Sequence, residues 1–302
     1  MQRQIAIVLM VLTASASAAT FDVKNFGAKG DGKTEDRVAI NKAIEAASAS
    51  GGGIVVLPTG TYVTGSIRLR SNITLQLDPG AAIEASADGA AYDTAEPNAW
   101  DKFQDFGHSH FHNSLIWGEG LENVAIVGSG LISGKALMRG ERGGGADKAI
   151  ALKLCHNVTL RDFSVVNGGH FGVLATGVDN LTIDNLKIDT NRDGIDIDSC
   201  RNVRISNTSV NTPNDDAIVL KGTHALGAAR STENVTITNC LVSGYDAGSL
   251  LDGTYKRTVM RAPDRDGPAG RVKIGTESEG DFRNIAISNV VFDLHLGLVH
   301  VD

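Results

Sequence analysis

Three aspartates at a short, regular spacing are the residues of this chain best suited to do chemistry. Asp193 lies in the segment NRDGIDIDSC, and Asp215 and Asp216 follow 22 and 23 residues later in NDDAIVLKG. Crowded carboxylates raise the pKa of at least one of them, which provides a proton donor at neutral pH. In glycoside hydrolysis one carboxyl group protonates the leaving oxygen while another activates water.

A structural role is the alternative, because aspartates at turns often accept hydrogen bonds from backbone amides. A single aspartate would favour that interpretation. Three acids at a matched spacing, with the basic residues Arg271 and Lys273 on a later segment, favour catalysis. The net charge of −7 means that any anionic ligand must be held by such a local basic patch.

A repeated pattern supplies the elements that would position these acids. A four-residue pattern, asparagine, an apolar residue, any residue and an apolar residue, begins at positions 72, 123, 157, 180, 202, 234 and 284. The intervals of 51, 34, 23, 22, 32 and 50 residues fit a period of 22 or 23 that is enlarged by insertions or doubled. Each unit holds short alternating strands and no helix-length segment, so we predict an all-β chain that folds as a right-handed parallel β-helix. The asparagine side chains are expected to bond to each other along its axis.

Alternation along the strands predicts which side chains point outward. The isoleucines of GIDIDSC must enter the core, so the residues that alternate with them point outward. On this coil and the next two, the outward positions are Asp196, Asp198, Asp215, Lys221, Arg271 and Lys273. Asp193 and Asp216 fall out of this phase, but each adjoins a turn. We expect the three acids to lie side by side and to face solvent in a groove floored by strands.

The N-terminal segment carries a pattern that needs an explanation. Residues 27–34 match the phosphate-binding pattern G-x-x-x-x-G-K-[ST] before a helical segment. No further βαβ units follow, so a nucleotide site is not predicted. The helix has one apolar stripe (Ile40, Ala43, Ile44 and Ala47), and Thr34 could cap it. We predict that it covers the first coil, whose strand edges would otherwise be exposed.

Two insertions, at about 93–111 and 245–270, are expected to wall the binding face. His108, His110 and His112 alternate in or beside the first, so an extended segment would present all three on one side. No acidic or cysteine partner has ligand spacing, so neither a metal nor a cofactor is predicted.

The cysteines are not expected to form disulfides. Cys155 and Cys200 occupy equivalent positions two coils apart, about 10 Å at ~4.8 Å per strand, which is too far to bridge. We expect Cys155, Cys200 and Cys240 to be small buried hydrophobic residues.

The ends of the chain bear on its location. Residues 1–18 have the features of a signal peptide, with Arg3, a short apolar run and Ala16-Ser17-Ala18 as cleavage site. We expect export to a bacterial periplasm or the medium, with 19–302 as one β-helix domain and no membrane span. The sequence stops in an apparent strand without a capping element, so we expect a longer protein or coverage of the last coil by association. The acidic net charge gives no basis for nucleic-acid binding.

On these coils the segments NRDGID, NDDA and GRVKIGTESEG resemble the polygalacturonase-type glycoside hydrolases (family 28), and FDVKNFGAKGDGKTEDRVAI resembles the start of the pectate-lyase-like superfamily. The resemblance covers nearly all of residues 19–302. It implies an inverting, metal-independent hydrolase of a pectin-type polysaccharide, polygalacturonan or rhamnogalacturonan. Asp215 would be the general acid, while Asp193 and Asp216 would hold and deprotonate the water, with carboxyl groups about 6.5–9.5 Å apart.

Two motifs of that family are changed here. Gly270 stands where the family's Gly-His-Gly motif has histidine, and 298–300 (Leu-Val-His) lacks the basic residues of its Arg-Ile-Lys motif. The residues expected to bind the sugar are His170, Lys221, Arg271 and Lys273, since a bidentate arginine suits a uronate carboxylate.

Two other functions stay open from the sequence. One is a polysaccharide lyase on the same fold, with an arginine or lysine base and Ca²⁺ on acids such as Asp193, Asp196 and Asp215. The other is a noncatalytic carbohydrate-binding solenoid.

Overall fold

A computed structural model describes residues 18–137, 145–258 and 271–293, and the backbone of 299–301. Within these ranges the chain winds into a parallel β-helix in which every described coil after the first contributes one strand to each of three sheets, A, B and C. The predicted all-β solenoid is confirmed. The predicted signal peptide, apart from Ala18, lies outside the described residues.

The described strands of sheets A and B number nine each. Sheet A consists of β1 (Thr20–Asp22), β3 (Gly53–Leu57), β6 (Ile73–Leu77), β9 (Glu122–Val127), β12 (His156–Arg161), β15 (Asp179–Asp184), β18 (Arg201–Ser206), β21 (Thr232–Thr238) and β24 (Phe282–Ser288). Sheet B consists of β2 (Asp31–Glu35), β4 (Gly60–Thr64), β7 (Ala81–Ala85), β10 (Leu131–Ser133), β13 (Ser164–Val166), β16 (Lys187–Asp189), β19 (Ser209–Asn211), β22 (Leu241–Ser243) and β25 (Val291–Asp293).

Sheet C carries the candidate acids. Its strands are β5 (Ile67–Arg68), β8 (Ser114–Glu119), β11 (Lys148–Lys153), β14 (Phe171–Thr176), β17 (Asp193–Asp198), β20 (Ile218–Lys221), β23 (Val272–Ile274) and β26 (Val299–Val301). The side chains of Ile195 and Ile197 enter the apolar interior and are fully buried, as alternation predicts.

Two α-helices, α1 (Arg37–Ala49) and α2 (Phe106–Ser109), and two 3₁₀ turns (Val23–Phe26 and Gly89–Ala91) complete the described elements. The predicted apolar stripe of α1 is fully buried against β1, β3 and β5, so this helix does cover the first coil. The expectation that Thr34 caps it is wrong, because Thr34 lies in β2 and the helix begins after Asp36.

The phosphate-loop pattern also has a structural explanation. The amides of Lys29 and Gly30 donate to the two carboxylate oxygens of Asp36 at 2.7 and 2.9 Å. These backbone donors therefore bind an acidic side chain of the same chain, and no nucleotide site follows from the pattern.

The repeat asparagines of successive coils form a ladder of side-chain hydrogen bonds, which keeps the coils in register. The amide nitrogen of each repeat asparagine donates to the side-chain oxygen of the one before, over 2.9–3.2 Å, from Asn72 through Asn123, Asn157, Asn180, Asn202 and Asn234 to Asn284. All seven have positive φ, between 54° and 63°. Asparagine tolerates this left-handed conformation better than most residues, and its amide both donates and accepts. The predicted stacking is confirmed.

The three cysteines are buried free thiols, as expected. Among the described residues, no helix is long and apolar enough to cross a membrane.

We predict that replacing a ladder residue destabilises the fold. Asn180→Ala removes a donor and an acceptor and places alanine at φ 57°, so the free energy of unfolding should fall by about 2–3 kcal/mol in urea titrations. Asn180→Gly is the matched control, because glycine accepts that φ and loses only the hydrogen bonds. Equal losses in the two variants would show that backbone strain contributes nothing.

Candidate active site

The three acids lie where coils enter sheet C from sheet B. The amide of Gly194 donates to the carbonyl of Asp216 at 2.9 Å, so Asp193 and Asp216 are neighbours on successive coils and Asp215 takes the preceding position. Glycine is required at position 194, directly after Asp193, because a Cβ there would lie 2.5 Å from the carbonyl oxygen of Ala217 on the next coil. The close stacking of coils thus sets the position of the acids.

The structure brings the side chains of Asp193, Asp215 and Asp216 together. One carboxylate oxygen of each lies within 4.8 Å of those of the other two. The expectation that they face solvent is wrong, since the three residues are only 6%, 3% and 4% exposed. Burial of this degree disfavours ionisation, so the charges around each carboxylate decide its state.

Asp215 is held by an arginine that sequence reasoning missed. The guanidinium of Arg192 donates to Asp215 Oδ2 from Nη2 at 2.7 Å and from Nε at 3.1 Å. Arg192 directly precedes Asp193, and the 23-residue offset to Asp215 could have revealed this pairing. Two hydrogen bonds from one planar guanidinium fix the orientation of this carboxylate.

Asp216 lies against two of the residues predicted to bind sugar. Arg271 Nε lies 2.7 Å from Asp216 Oδ1, and Lys273 Nζ lies 3.9 Å from Oδ2. The first contact is an ion pair rather than an aligned hydrogen bond. These cations lie on the coil after Asp216, as the predicted register requires.

Asp193 has no described cation at ion-pair distance. Its Oδ1 accepts a hydrogen bond from the amide of Asp216 at 3.1 Å. Burial raises the pKa of Asp193 well above its usual value, the charges of Asp196, Asp215 and Asp216 raise it further, and Lys221 offsets only part of this. Of the three acids, Asp193 is therefore the one that best retains a proton.

Lys221 lies at the end of β20, where its Nζ donates to Glu277 Oε2 at 3.1 Å. Burial alone would lower the pKa of Lys221, but the carboxylates of Asp196, Glu277 and Asp193 outweigh it and raise that pKa. This lysine is a fixed positive charge beside the acids. Glu277, 56 residues away in sequence, was not identified from the sequence.

Asp196 and Asp198 lie on the outer side of β17, where alternation places them, but both are completely buried. His108 Nε2 lies 2.9 Å from Asp196 Oδ2. Thr223 donates to Asp198 from its hydroxyl at 2.6 Å and from its amide at 2.7 Å. Loops therefore cover side chains that a bare coil would expose.

The first insertion (about 93–111) provides that cover. It leaves β7, crosses the outer face of sheet C and returns at β8. Phe111 packs against Ala151, Phe171 and Leu174 in a small apolar cluster outside the main core. At the far edge, Asn98 Nδ2 donates to the carbonyl of Ala225 at 3.4 Å. The expectation that this insertion walls the face with the acids agrees with this path.

The three histidines in or beside this insertion do not share one side, so that expectation is wrong. His108 belongs to the helical turn α2 and points to Asp196. His110 stacks on Phe106, and His112 stacks on Trp117, each at 4.0 Å between ring centroids. A local helix replaces the extended segment that alternation assumed.

His170, a predicted sugar contact, lies one coil before Arg192 and is 5% exposed. Its ring stacks on Phe171 at 4.2 Å, and neither ring nitrogen makes a hydrogen bond. Burial lowers the pKa of His170 to about 3, against the opposing effect of Asp105, so the ring is neutral. Its contact with sugar stays a prediction.

The second insertion is described up to Thr258. There the guanidinium of Arg257 bonds to Asp293 and stacks over Tyr245, at 4.3 Å from the ring centroid. Gly270 and Leu298, which bear on the two changed motifs, lie outside the described residues. The backbone register does place His300 opposite Lys273, one coil later, as expected.

Comparisons with known proteins agree with this geometry. Residues 20–167 match the family model described as rhamnogalacturonase A/epimerase, pectate lyase-like, and residues 123–260 match the one for the right-handed β-helix region. A probable polygalacturonase of Vitis vinifera is 29% identical over 92% of this chain and 55% of its own. The chain spans about half the length of the curated relatives it matches.

Solved structures show the same fold. The polygalacturonase of Erwinia carotovora superposes with a TM-score of 0.67 at 18% identity, over 94% of this chain and 72% of that chain. An exopolygalacturonase of Thermotoga maritima gives 0.62 at 20% identity, over 91% and 76%.

The fold is a right-handed parallel β-helix. The similarity to the pectate-lyase-like model extends over residues 20–167, just under half of the chain. The chain is similar to polygalacturonases over most of its length, in line with the sequence resemblance.

The state of Asp193 has a consequence for stability. Because its folded pKa is raised, its protonated form stabilises the fold at low pH, and this contribution is lost as pH rises through that pKa. Asp193→Asn cannot ionise, so its melting temperature should exceed that of the parent at pH 8, and the gap should shrink towards pH 4. Thermal unfolding across this range measures it. A gap that widens as pH falls would contradict the raised pKa.

Proposed function

We propose that this protein is an exported glycoside hydrolase that cleaves a uronic-acid-containing, pectin-type polysaccharide. The observation that carries the proposal is the cluster of Asp193, Asp215 and Asp216, whose oxygens approach within 4.8 Å while each carboxylate has a different charge environment. Acid and base roles arise from such differences. The polygalacturonases among its relatives support the reaction class.

The basic residues support an anionic substrate. The chain has a net charge of −7, yet Lys221, Arg271 and Lys273 converge beside the acids on consecutive coils. Guanidinium and ammonium groups so placed suit a uronate carboxylate. Both polygalacturonan and rhamnogalacturonan present this group, and the matching family model names a rhamnogalacturonase.

The family resemblance assigns proton donation to Asp215 and water activation to Asp193 and Asp216. In the structure the pKa of Asp193 is raised, while Arg192 bonds to Asp215. We propose that substrate binding moves the proton from Asp193 to Asp215. A substrate carboxylate that draws Arg192 away would open Asp215 Oδ2 to this proton, which Asp215 then donates to the leaving oxygen.

The stereochemical outcome needs its own argument. The closest approach of the carboxylate oxygens, within 4.8 Å, is shorter than the separation of about 6.5–9.5 Å expected between inverting carboxyl groups. Inversion stays our proposal, because Asp193 and Asp216 are stacked neighbours that can hold one water between them. No metal takes part in these steps.

The lyase alternative is less well supported. A lyase needs a basic residue that can take a proton, but Lys221 and Arg271 are paired with Glu277 and Asp216. A calcium site on Asp193, Asp196 and Asp215 is also disfavoured, since His108 binds Asp196 and Arg192 binds Asp215.

The decisive test is reducing-sugar release from polygalacturonate and rhamnogalacturonan by the parent protein and Asp215→Asn. We expect hydrolysis of one of these substrates and a loss of about a thousandfold in the variant, within the roughly 10²–10⁴-fold contribution of general acid catalysis. Asp281→Asn is the matched control, because Asp281 is exposed and bonds locally to Arg283.

A variant that hydrolyses as fast as its parent would exclude Asp215 as the acid. A product that absorbs in the ultraviolet would indicate a lyase, and glycan binding without release of reducing ends would indicate a noncatalytic solenoid. Proton NMR of the first product formed should show the inverted anomer; the retained anomer would contradict the inverting mechanism.

Export rests on residues 1–18, with Ala16-Ser17-Ala18 as the cleavage site. Expression in a bacterial host should yield periplasmic or extracellular protein whose N-terminus, determined by Edman sequencing, is Ala19. Cytoplasmic protein that retains Met1 would contradict this proposal.

A further inference from the structure

A cluster of histidine and carboxylate side chains lies beside the candidate acids and takes no part in the proposed hydrolysis. Asp105 and His108 come from the first insertion, and Glu277 follows β23. One potential ligand atom of each lies within 4.8 Å of those of the other two. Two parts of the chain far apart in sequence therefore meet through groups that bind transition metals.

The distances within this cluster lie on either side of the spacing expected for one coordination geometry. His108 Nδ1 lies 2.9 Å from Asp105 Oδ1 and 3.6 Å from Glu277 Oε2. In a tetrahedral zinc site with bonds of about 2.0–2.1 Å, neighbouring ligand atoms stand about 3.3–3.4 Å apart. Calcium, with bonds of about 2.3–2.6 Å and a preference for oxygen ligands, fits this set less well.

A fourth side chain lies beside one member of this cluster. His170 is 5% exposed, neither of its ring nitrogens makes a hydrogen bond, and its Nε2 lies 3.5 Å from Asp105 Oδ2. Buried polar groups without partners are rare in folded proteins. A cation bound at Asp105 would give this ring nitrogen a partner.

The surroundings complete the arrangement that metal-binding histidines usually have. The second ring nitrogen of His108 lies 2.9 Å from the buried carboxylate of Asp196. A carboxylate in that position fixes the tautomer and orientation of a ligating imidazole. Glu277 is oriented too, because its Oε1 accepts from the amide of Asp105 at 3.1 Å.

The local charge is also suited to a divalent cation. Asp105, Asp196 and Glu277 carry three negative charges, and Lys221, which bonds to Glu277, carries one positive charge. With both imidazoles neutral, the cluster has a net charge of −2.

We propose that Asp105, His108, His170 and Glu277 form a structural zinc site that fastens the first insertion to the coils bearing the candidate acids. The ion supplies no step of the hydrolysis. Its role is to fix the insertion over sheet C, and its presence can be measured without any substrate.

The test uses the full chain, stripped with a chelator and titrated with Zn²⁺ by isothermal calorimetry, with metal content checked by mass spectrometry. We expect one equivalent per chain, and a Kd raised about 10–100-fold in Asp196→Asn, the reported range for loss of a supporting carboxylate. Glu277→Gln and His170→Ala, which remove proposed ligands, should weaken binding at least as much. Circular dichroism shows whether each variant is folded.

His112→Ala is the matched control beside the same insertion, since His112 bonds to Glu119 and stacks on Trp117 away from the cluster. Its affinity for Zn²⁺ should equal that of the parent. A parent protein that takes up no zinc, or folded Glu277→Gln and His170→Ala variants that bind it as tightly as the parent, would overturn the proposal. Either result would leave the hydrolase assignment untouched.

Discussion

Parallel pairing of each coil with the one before, at a spacing of about 4.8 Å, is the constraint on which the rest of this molecule depends. Residues far apart in the chain become neighbours only because the strands stay in register. The asparagine ladder holds that register on one side of the coil. A slip of one residue would exchange the inner and outer faces of a strand. The contact between Asp193 and Asp216 is therefore a product of the backbone of the whole stack.

The balance of charges around Asp193, Asp215 and Asp216 decides which of these clustered carboxyl groups holds a proton. Three buried carboxylates cannot all be ionised unless cations lie nearby. Arg192 compensates Asp215 and Arg271 compensates Asp216, and Asp193 remains as the carboxyl that holds a proton. The cluster thus combines one carboxyl group of raised pKa with two carboxylates that are paired with arginines. Buried ion pairs of this kind contribute orientation more than net stability.

The periodic part of the structure could be predicted from the sequence. A 22- or 23-residue repeat implies a coil, the coil implies axial neighbours, and these place Asp193 beside Asp215 and Asp216. The same reasoning would have paired Arg192 with Asp215 had the offset been applied to it. Inward and outward positions followed from alternation.

The aperiodic part could not be predicted. Nothing in the spacing of His108 shows that it lies on a helical turn above Asp196, or that Glu277 reaches it from another coil. The burial of Asp196 and Asp198 depends on these loops, so alternation gave the correct side of the strand but the wrong exposure. Propensity and periodicity describe one strand at a time, whereas the path of a long loop is set by the surface it meets.

The first insertion leaves and re-enters the coil between β7 and β8, two strands of a single turn. Its length is therefore independent of the stacking distance that spaces the aspartates. Such a segment can be lengthened, shortened or exchanged while the arrangement of the reactive groups beneath it is inherited intact. In a protein built this way, the selectivity for a ligand can change through the insertion while the carboxylate cluster on the coils stays the same.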